Sequence, residues 1–297
     1  MITTMTIKKG IITAAGRGTR FLPVTKAYPK ELVPLIAKPN IQLLVEELIA
    51  AGINRIAIVH RPGENRLKEY FQPDKKLENF LKENNKEYFI ESLRRIWQKA
   101  TIEFIPQTDD LPYGNASPVL AAKKFIDNDP FVYMYGDDLV IEEKTGQFLS
   151  KIIKLYEENK VNAVGATSQV AWEEISRYSS IKYKDPTHKI KIDKVHEKLP
   201  RSEAPSNTTL FGRFAVSPII FSCLEKQKTS QGELWFTDAI NCLAERGTVL
   251  VCPIEENGQW LTTGDPLRWL KANITIGLRD KTIAQDLKTF LEEALKE

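Results

Sequence analysis

Ile11-Ile12-Thr13-Ala14-Ala15-Gly16-Arg17-Gly18-Thr19-Arg20 decides how this chain is read. An apolar run from Ile7 to Ala14 predicts a short buried strand, and two glycines follow it at once. Glycines there let backbone N–H groups approach a phosphate chain with no side chain in the way. Downstream stand Pro23, Thr25, Lys26 and Pro29-Lys30-Glu31. Arg20, Lys26 and Lys30 add the positive charge that complements a polyphosphate. Two other phosphate loops are excluded. A dinucleotide fingerprint requires a third glycine where Phe21 stands, and a P-loop requires a Gly-Lys pair, which the chain lacks.

Outward from this loop, Ile41, Leu44, Val45 and Leu48 lie at helical spacing, predicting a helix from Asn40 to Ala51 that Gly52 ends. Ile56 to Val59 is a β-branched strand, followed by a polar helix through Tyr70. The alternation predicts a parallel sheet covered on both faces. Between Pro73 and Ala100, Leu77, Phe80, Leu81, Phe89, Leu93 and Ile96 predict one or two inserted amphipathic helices. The sheet pattern resumes with Ile102 to Ile105, a helix near Val119 to Phe125, and Phe131 to Tyr135, which Gly136-Asp137-Asp138 closes. A helix around Phe148 to Glu157 and a strand from Val161 to Ala166 come next. From Ser176 the character changes. Tyr178 to Tyr183, Lys189 to Val195 and Thr209 to Val216 read as short strands of a smaller antiparallel or mixed sheet. Helices at Pro218 to Leu224 and Phe236 to Glu245, a strand from Thr248 to Cys252, and two helices from Pro266 complete the chain. The expected fold is α/β, with a Rossmann-like, mixed but mainly parallel sheet flanked by helices, a smaller antiparallel sheet and a helical C-terminus. We expect one unit over residues 1–270, with halves at about 1–170 and 171–265, and a helical tail over 271–297.

Composition narrows the function. With 297 residues, 42% of them hydrophobic, there is material for one large core. A net charge of +3 argues against coating nucleic acid, while leaving room for one basic pocket. No secretory leader is visible at Met1 to Gly10, and no apolar stretch approaches the ~20 residues that cross a bilayer. Cys223, Cys242 and Cys252 are too few and too dispersed for a disulfide framework, and His60, His188 and His196 lack metal-ligand spacing. The expectation is a reduced cytoplasmic protein.

The string from Ala14 to Glu31, continued by Pro34-Leu35 and Lys38-Pro39, resembles the signature of sugar-phosphate nucleotidyltransferases. Its wording, together with the insertion at 73–100, is similar to the bacterial UTP–glucose-1-phosphate uridylyltransferase family, nearly end to end. The resemblance implies joining of UTP and glucose 1-phosphate to UDP-glucose and pyrophosphate, with Mg²⁺ as cofactor and a homo-oligomer as the assembly. It assigns Arg20 to the leaving phosphates, Lys30 to the α-phosphate and Asp137 to the metal. Ala14, Ala15, Gly16, Gly18 and Thr19 would line the nucleotide. Gln107, whose amide carries both donors and an acceptor, would read the base beside Gly114. Glu197 and Lys198 would take the sugar hydroxyls and the sugar phosphate, with Gly212 beside the hexose. Asp138 is expected to be a capping or surface residue.

Three departures from the family pattern bear on substrate and metal. Ala116 fills a glycine position, Ser179 follows Tyr178 where glycine is usual, and Thr262 stands where a second metal-binding aspartate is usual. Two alternatives therefore accompany the main reading: a related enzyme for another nucleotide or sugar phosphate, and a nucleotide-sugar-binding regulator without catalysis.

Overall fold

The computed structural model describes residues 6–230 and 232–296. Seven strands form the main sheet: β1 (Lys9–Ala14), β2 (Arg55–His60), β3 (Thr101–Pro106), β4 (Phe131–Tyr135), β5 (Ala163–Gln169), β6 (Thr208–Val216) and β7 (Val249–Pro253). Their order is β7-β5-β6-β4-β1-β2-β3, and only β6 runs antiparallel to its neighbours. Alternation along each strand feeds a core on either face. Ile12, Ile56, Ile58, Val132 and Met134 meet the helices Asn40–Ala50 and Gln147–Asn159 on one side. Ile11, Ala57, Val59, Phe131 and Tyr133 meet Phe236–Arg246 and shorter helices on the other.

The smaller sheet pairs Ser179–Tyr183 with Ile192–Glu197 in antiparallel fashion. The third segment expected there, Thr209 to Val216, instead belongs to the main sheet as β6. All nine β6 residues are buried, so the strand reads as core once both its edges are paired. A further antiparallel pair, Asp138–Ile141 with Gln259–Thr262, was not expected from sequence.

The insertion forms two helices, Lys75–Glu83 and Glu91–Lys99, joined by a 3-10 turn. Asp74 caps the first by accepting from Lys76 N and Leu77 N. Of its apolar residues, Leu81 and Ile96 are buried, whereas Leu77, Phe80 and Phe89 are exposed. The helix expected at Val119 to Phe125 is two short ones, Ser117–Ala121 and Lys123–Ile126. Cys223 and Cys242, on packed helices, form a disulfide, which corrects the reading of three reduced thiols; Cys252 is free and buried. No helix among the described residues is long and apolar enough to cross a membrane.

Candidate active site

Neighbouring parallel strands β1 and β4 end side by side, and their C-terminal ends build the centre of the site. Where β4 ends, only a glycine fits: a Cβ on Gly136 would lie 1.9 Å from Thr13 O. That approach brings Asp137 under the opening loop. Lys30 Nζ, in a 3-10 turn over Lys30–Leu32, donates to Asp137 Oδ2 at 2.6 Å and stands 3.9 Å from Glu31. The loop is folded onto this lysine. A Cβ on Gly16 would meet Lys30 Cε at 3.4 Å, and one on Gly18 would meet Lys30 Cβ at 3.4 Å. Thr25 Oγ1 donates to Gly18 O at 2.7 Å and fixes the loop's return. Arg20 extends across the mouth, with Nη1 donating to Gly264 O at 3.3 Å. Lys26 remains exposed.

The charges are strongly coupled. Burial opposes the Lys30 charge, yet Asp137 and Glu31 outweigh it and hold the ammonium protonated, its pKa above the ordinary lysine value. Burial likewise acts on Asp137, but Lys30 and then Arg20 win, and its carboxyl falls below the usual range. Glu31 is pushed up to about 7 by burial, only partly relieved by Lys30. Lys30 and Asp137 thus face each other as a charged pair mostly shielded from water, their side chains 18% and 28% exposed, while Arg20 lies exposed at the mouth.

Asp138, expected to be a capping or surface residue, is buried. The ladder between β6 and β5 shifts register between Leu210 and Phe214, and the Gly212 N–H inside that irregularity donates to Asp138 Oδ2 at 2.8 Å. Burial, then the neighbouring Asp137 charge, raises Asp138 to about 6. Its partner is thus the backbone beside the expected hexose position. Arg213, fully buried, donates to both Glu47 carboxylate oxygens at 2.7 Å, to Gly212 O at 2.7 Å and to Asp138 O at 3.1 Å. One guanidinium therefore braces both peptides flanking the site.

The Gln259–Thr262 strand carries Thr262, Thr263 and Gly264 to Asp137. Thr263 N donates to Asp137 O at 2.7 Å, and Asn40 Nδ2 donates to Gly136 O at 2.6 Å and to Thr263 Oγ1 at 3.3 Å. A Cβ on Gly264 would lie 3.1 Å from Asp137 Oδ2 and 3.6 Å from Thr262 Oγ1. Asp265 does not replace the missing aspartate. Its carboxylate caps the helix Pro266–Gly277, accepting from Arg268 N at 3.0 Å, with Arg177 3.8 Å away. No cluster of three or more acidic, histidine or cysteine groups that could hold a metal forms among the described residues.

The other expected residues lie on separate strand ends and turns. Gln107 follows β3, and its N–H donates to His60 O at 2.8 Å, leaving a half-buried amide at the strand end. Gly114 has φ 143°, and a Cβ there would strike Leu234 O at 2.3 Å. Ala116 is buried in the same turn, its N–H on Leu234 O at 3.1 Å. Glu197 ends its strand, with a carboxyl raised by burial. Lys198 has left-handed backbone, φ 49°, and its ammonium lies 4.5 Å from the centroid of the Trp235 ring. Ser179 bonds Thr209 Oγ1 at 2.9 Å, so it joins the small sheet to β6.

One hub was missed from sequence. Tyr135 packs against Gly212, and its hydroxyl accepts from Asn115 Nδ2 at 3.3 Å. Its phenol is pushed well up by burial, then by Tyr133, Glu197, Asp138 and Asp137. It thus packs between the Gly114 turn and Gly212. Its only local signal is its position as the last residue before Gly136.

Comparisons with known proteins place the whole chain. A UTP–glucose-1-phosphate uridylyltransferase of Bacillus subtilis strain 168 is 35% identical over 294 residues, covering 97% of both chains. A crystal structure of a UDP-glucose pyrophosphorylase complexed with UDP-glucose superposes with a TM-score of 0.81 at 31% identity, covering 91% of this chain and 98% of that one. A UTP-bound structure of the enzyme from Acinetobacter baumannii gives 0.85 at 28% identity, covering 97% and 99%. Residues 9–277 match the nucleotidyl transferase family, and the chain belongs to it.

Proposed function

We propose that the protein converts UTP and glucose 1-phosphate to UDP-glucose and pyrophosphate. The observation that carries this is the Lys30–Asp137 pair beneath the glycine loop, with Arg20 across its mouth. In the proposed step an oxygen of the sugar phosphate forms a bond to the α-phosphorus of UTP as the bond to pyrophosphate breaks. No protein nucleophile is needed, so catalysis consists of positioning and charge compensation. Lys30, protonated throughout the neutral range, offers its ammonium to the α-phosphate. Arg20 faces the leaving pyrophosphate. The backbone of Ala14 to Thr19 holds the phosphate chain, while Gln107 and Gly114 receive the base. Glu197, Lys198 and Gly212 receive the glucose 1-phosphate.

The donor set suits Mg²⁺, which uses one or two protein carboxylates and takes its other ligands from substrate phosphates and water. Asp137 would hold it, with the Thr262 hydroxyl beside it. Bound there, the ion supplies charge neutralisation on the phosphates. Both substrates are phosphorylated intermediates, which supports a cytoplasmic setting, and exposed Leu267 and Leu270 on the helix Pro266–Gly277, with exposed Phe290 on the helix Ala284–Ala294, support a homo-oligomer.

The test is pyrophosphate release from UTP, glucose 1-phosphate and Mg²⁺, with the product identified by mass spectrometry against a panel of other triphosphates and sugar phosphates. A different preferred pair would redirect the specificity. Nucleotide-sugar binding without release from any pair would favour the regulator, a reading that Thr262, standing where a second metal-binding aspartate is usual, supports.

A further inference from the structure

Trp235 sits between the two substrate subsites just proposed. The Lys198 ammonium lies 4.5 Å from the centroid of its ring. Among the described residues no carboxylate comes within ion-pair distance of Lys198, in contrast to Lys30, which Asp137 holds at 2.6 Å. An aromatic face attracts and partly desolvates a cation without neutralising it or filling its N–H donors. A lysine held in this way is oriented, yet free to take a phosphate.

The ring is itself fixed. Trp235 is 9% exposed, its Nε1 donates to Ser230 O at 3.1 Å, and its carbonyl accepts from Gln227 Nε2 at 2.8 Å. Its two chain neighbours are tied to the turn around Gly114. Leu234 N donates to Tyr113 O at 2.7 Å, Ala116 N donates to Leu234 O at 3.1 Å, and Phe236 N donates to Asn115 Oδ1 at 2.7 Å. The base-side turn and the sugar-side lysine are thereby joined through one residue.

We infer that Trp235 is a positioning residue, presenting Lys198 to the phosphate of the sugar 1-phosphate and setting that position from the Gly114 turn. This rests on the proposed function, and the test separates the two. Trp235→Leu should raise KM for glucose 1-phosphate roughly 3- to 30-fold, the range a partly desolvated cation–π contact supports, while KM for UTP stays within about twofold. Trp235→Phe, which keeps an aromatic face, should recover most of the loss. In a Lys198→Ala background, Trp235→Leu should add no further increase. Calorimetric titration with glucose 1-phosphate reads the same interaction without turnover. An unchanged KM and affinity in Trp235→Leu would overturn the inference. So would equal losses for both substrates, or the same loss in the Lys198→Ala background. Failure of the unaltered protein to release pyrophosphate would instead count against the proposed function. Should Trp235→Leu not fold, the comparison moves to Trp235→Phe and Trp235→His, whose affinities should fall in that order with weakening ring attraction; equal affinities would overturn the inference.

Discussion

Glu47→Ala should be among the most damaging single changes outside the substrate pocket. Arg213 is fully buried and the Glu47 side chain is 5% exposed, so this ion pair is dry. Removing the carboxylate deletes two 2.7 Å charge-assisted hydrogen bonds and leaves a buried guanidinium facing only the Gly212 and Asp138 carbonyls. A buried ion left without its partner costs about 3–5 kcal/mol. Domain stabilities run to only about 5–15 kcal/mol, so the variant should approach the threshold of unfolding at growth temperature. Urea denaturation followed by circular dichroism measures the loss. The reasoning also predicts that Glu47→Leu combined with Arg213→Met recovers most of the stability, because the cost lies in the orphaned charge and not in missing attraction. That double variant should remain catalytically poor, since nothing then braces the peptides of Asp138 and Gly212. A loss below about 1 kcal/mol for Glu47→Ala would refute the argument, and so would a double variant less stable than either single one.

Lys30→Ala should lower turnover by about 100- to 1,000-fold with the fold retained, as removal of one charge-stabilising donor does; pyrophosphate release and circular dichroism check both halves of the claim. Glu31 makes the ligand-free protein's stability fall with rising pH. Its folded-state pKa is raised from 4.5 to about 7, so its contribution is full below the unfolded value, declines from there towards 7 and is level above. The expected loss is roughly 3 kcal/mol, and Glu31→Gln should flatten that part of the pH–stability curve; an unchanged slope would remove Glu31 as its source. Gly114→Ala combines strained φ with a 2.3 Å approach to Leu234 O. It should cost about 2 kcal/mol or more and raise KM for UTP before that for glucose 1-phosphate, which steady-state kinetics would separate.

What sequence revealed and what it concealed divides along the range of the interactions. The strand Phe131–Tyr135 and the helix starting at Asn40 were legible because period-2 and period-3.6 patterns are local. The Lys30–Asp137 meeting was legible only through resemblance, since 107 residues separate the partners. Asp138 was misread because an Asp-Asp pair carries no mark of which carboxylate turns inward; the Gly212 N–H, released by a strand irregularity, decides it. The segment Thr209 to Val216 was misassigned because Asn and Pro turns before it resemble those of the small sheet. Its burial depends on neighbours over 70 residues earlier, at Phe131 to Met134. The Cys223–Cys242 pairing escaped because a 19-residue separation says nothing about the packing of two helices. Trp235 and Tyr135 escaped because an aromatic residue at an element boundary has no signature distinguishing a structural role from a substrate-facing one.

The reversed strand β6 limits how this molecule can respond to its ligands. It is hydrogen-bonded on one side to β4, which delivers Asp137, and on the other to β5, while Ser179 of the small sheet is bonded to its Thr209. The two halves share a keystone rather than a joint. Jaw-like opening between them would have to unzip a fully buried ladder, so grasping and release fall to the exposed turns of the opening loop that carry Arg17 and Lys26.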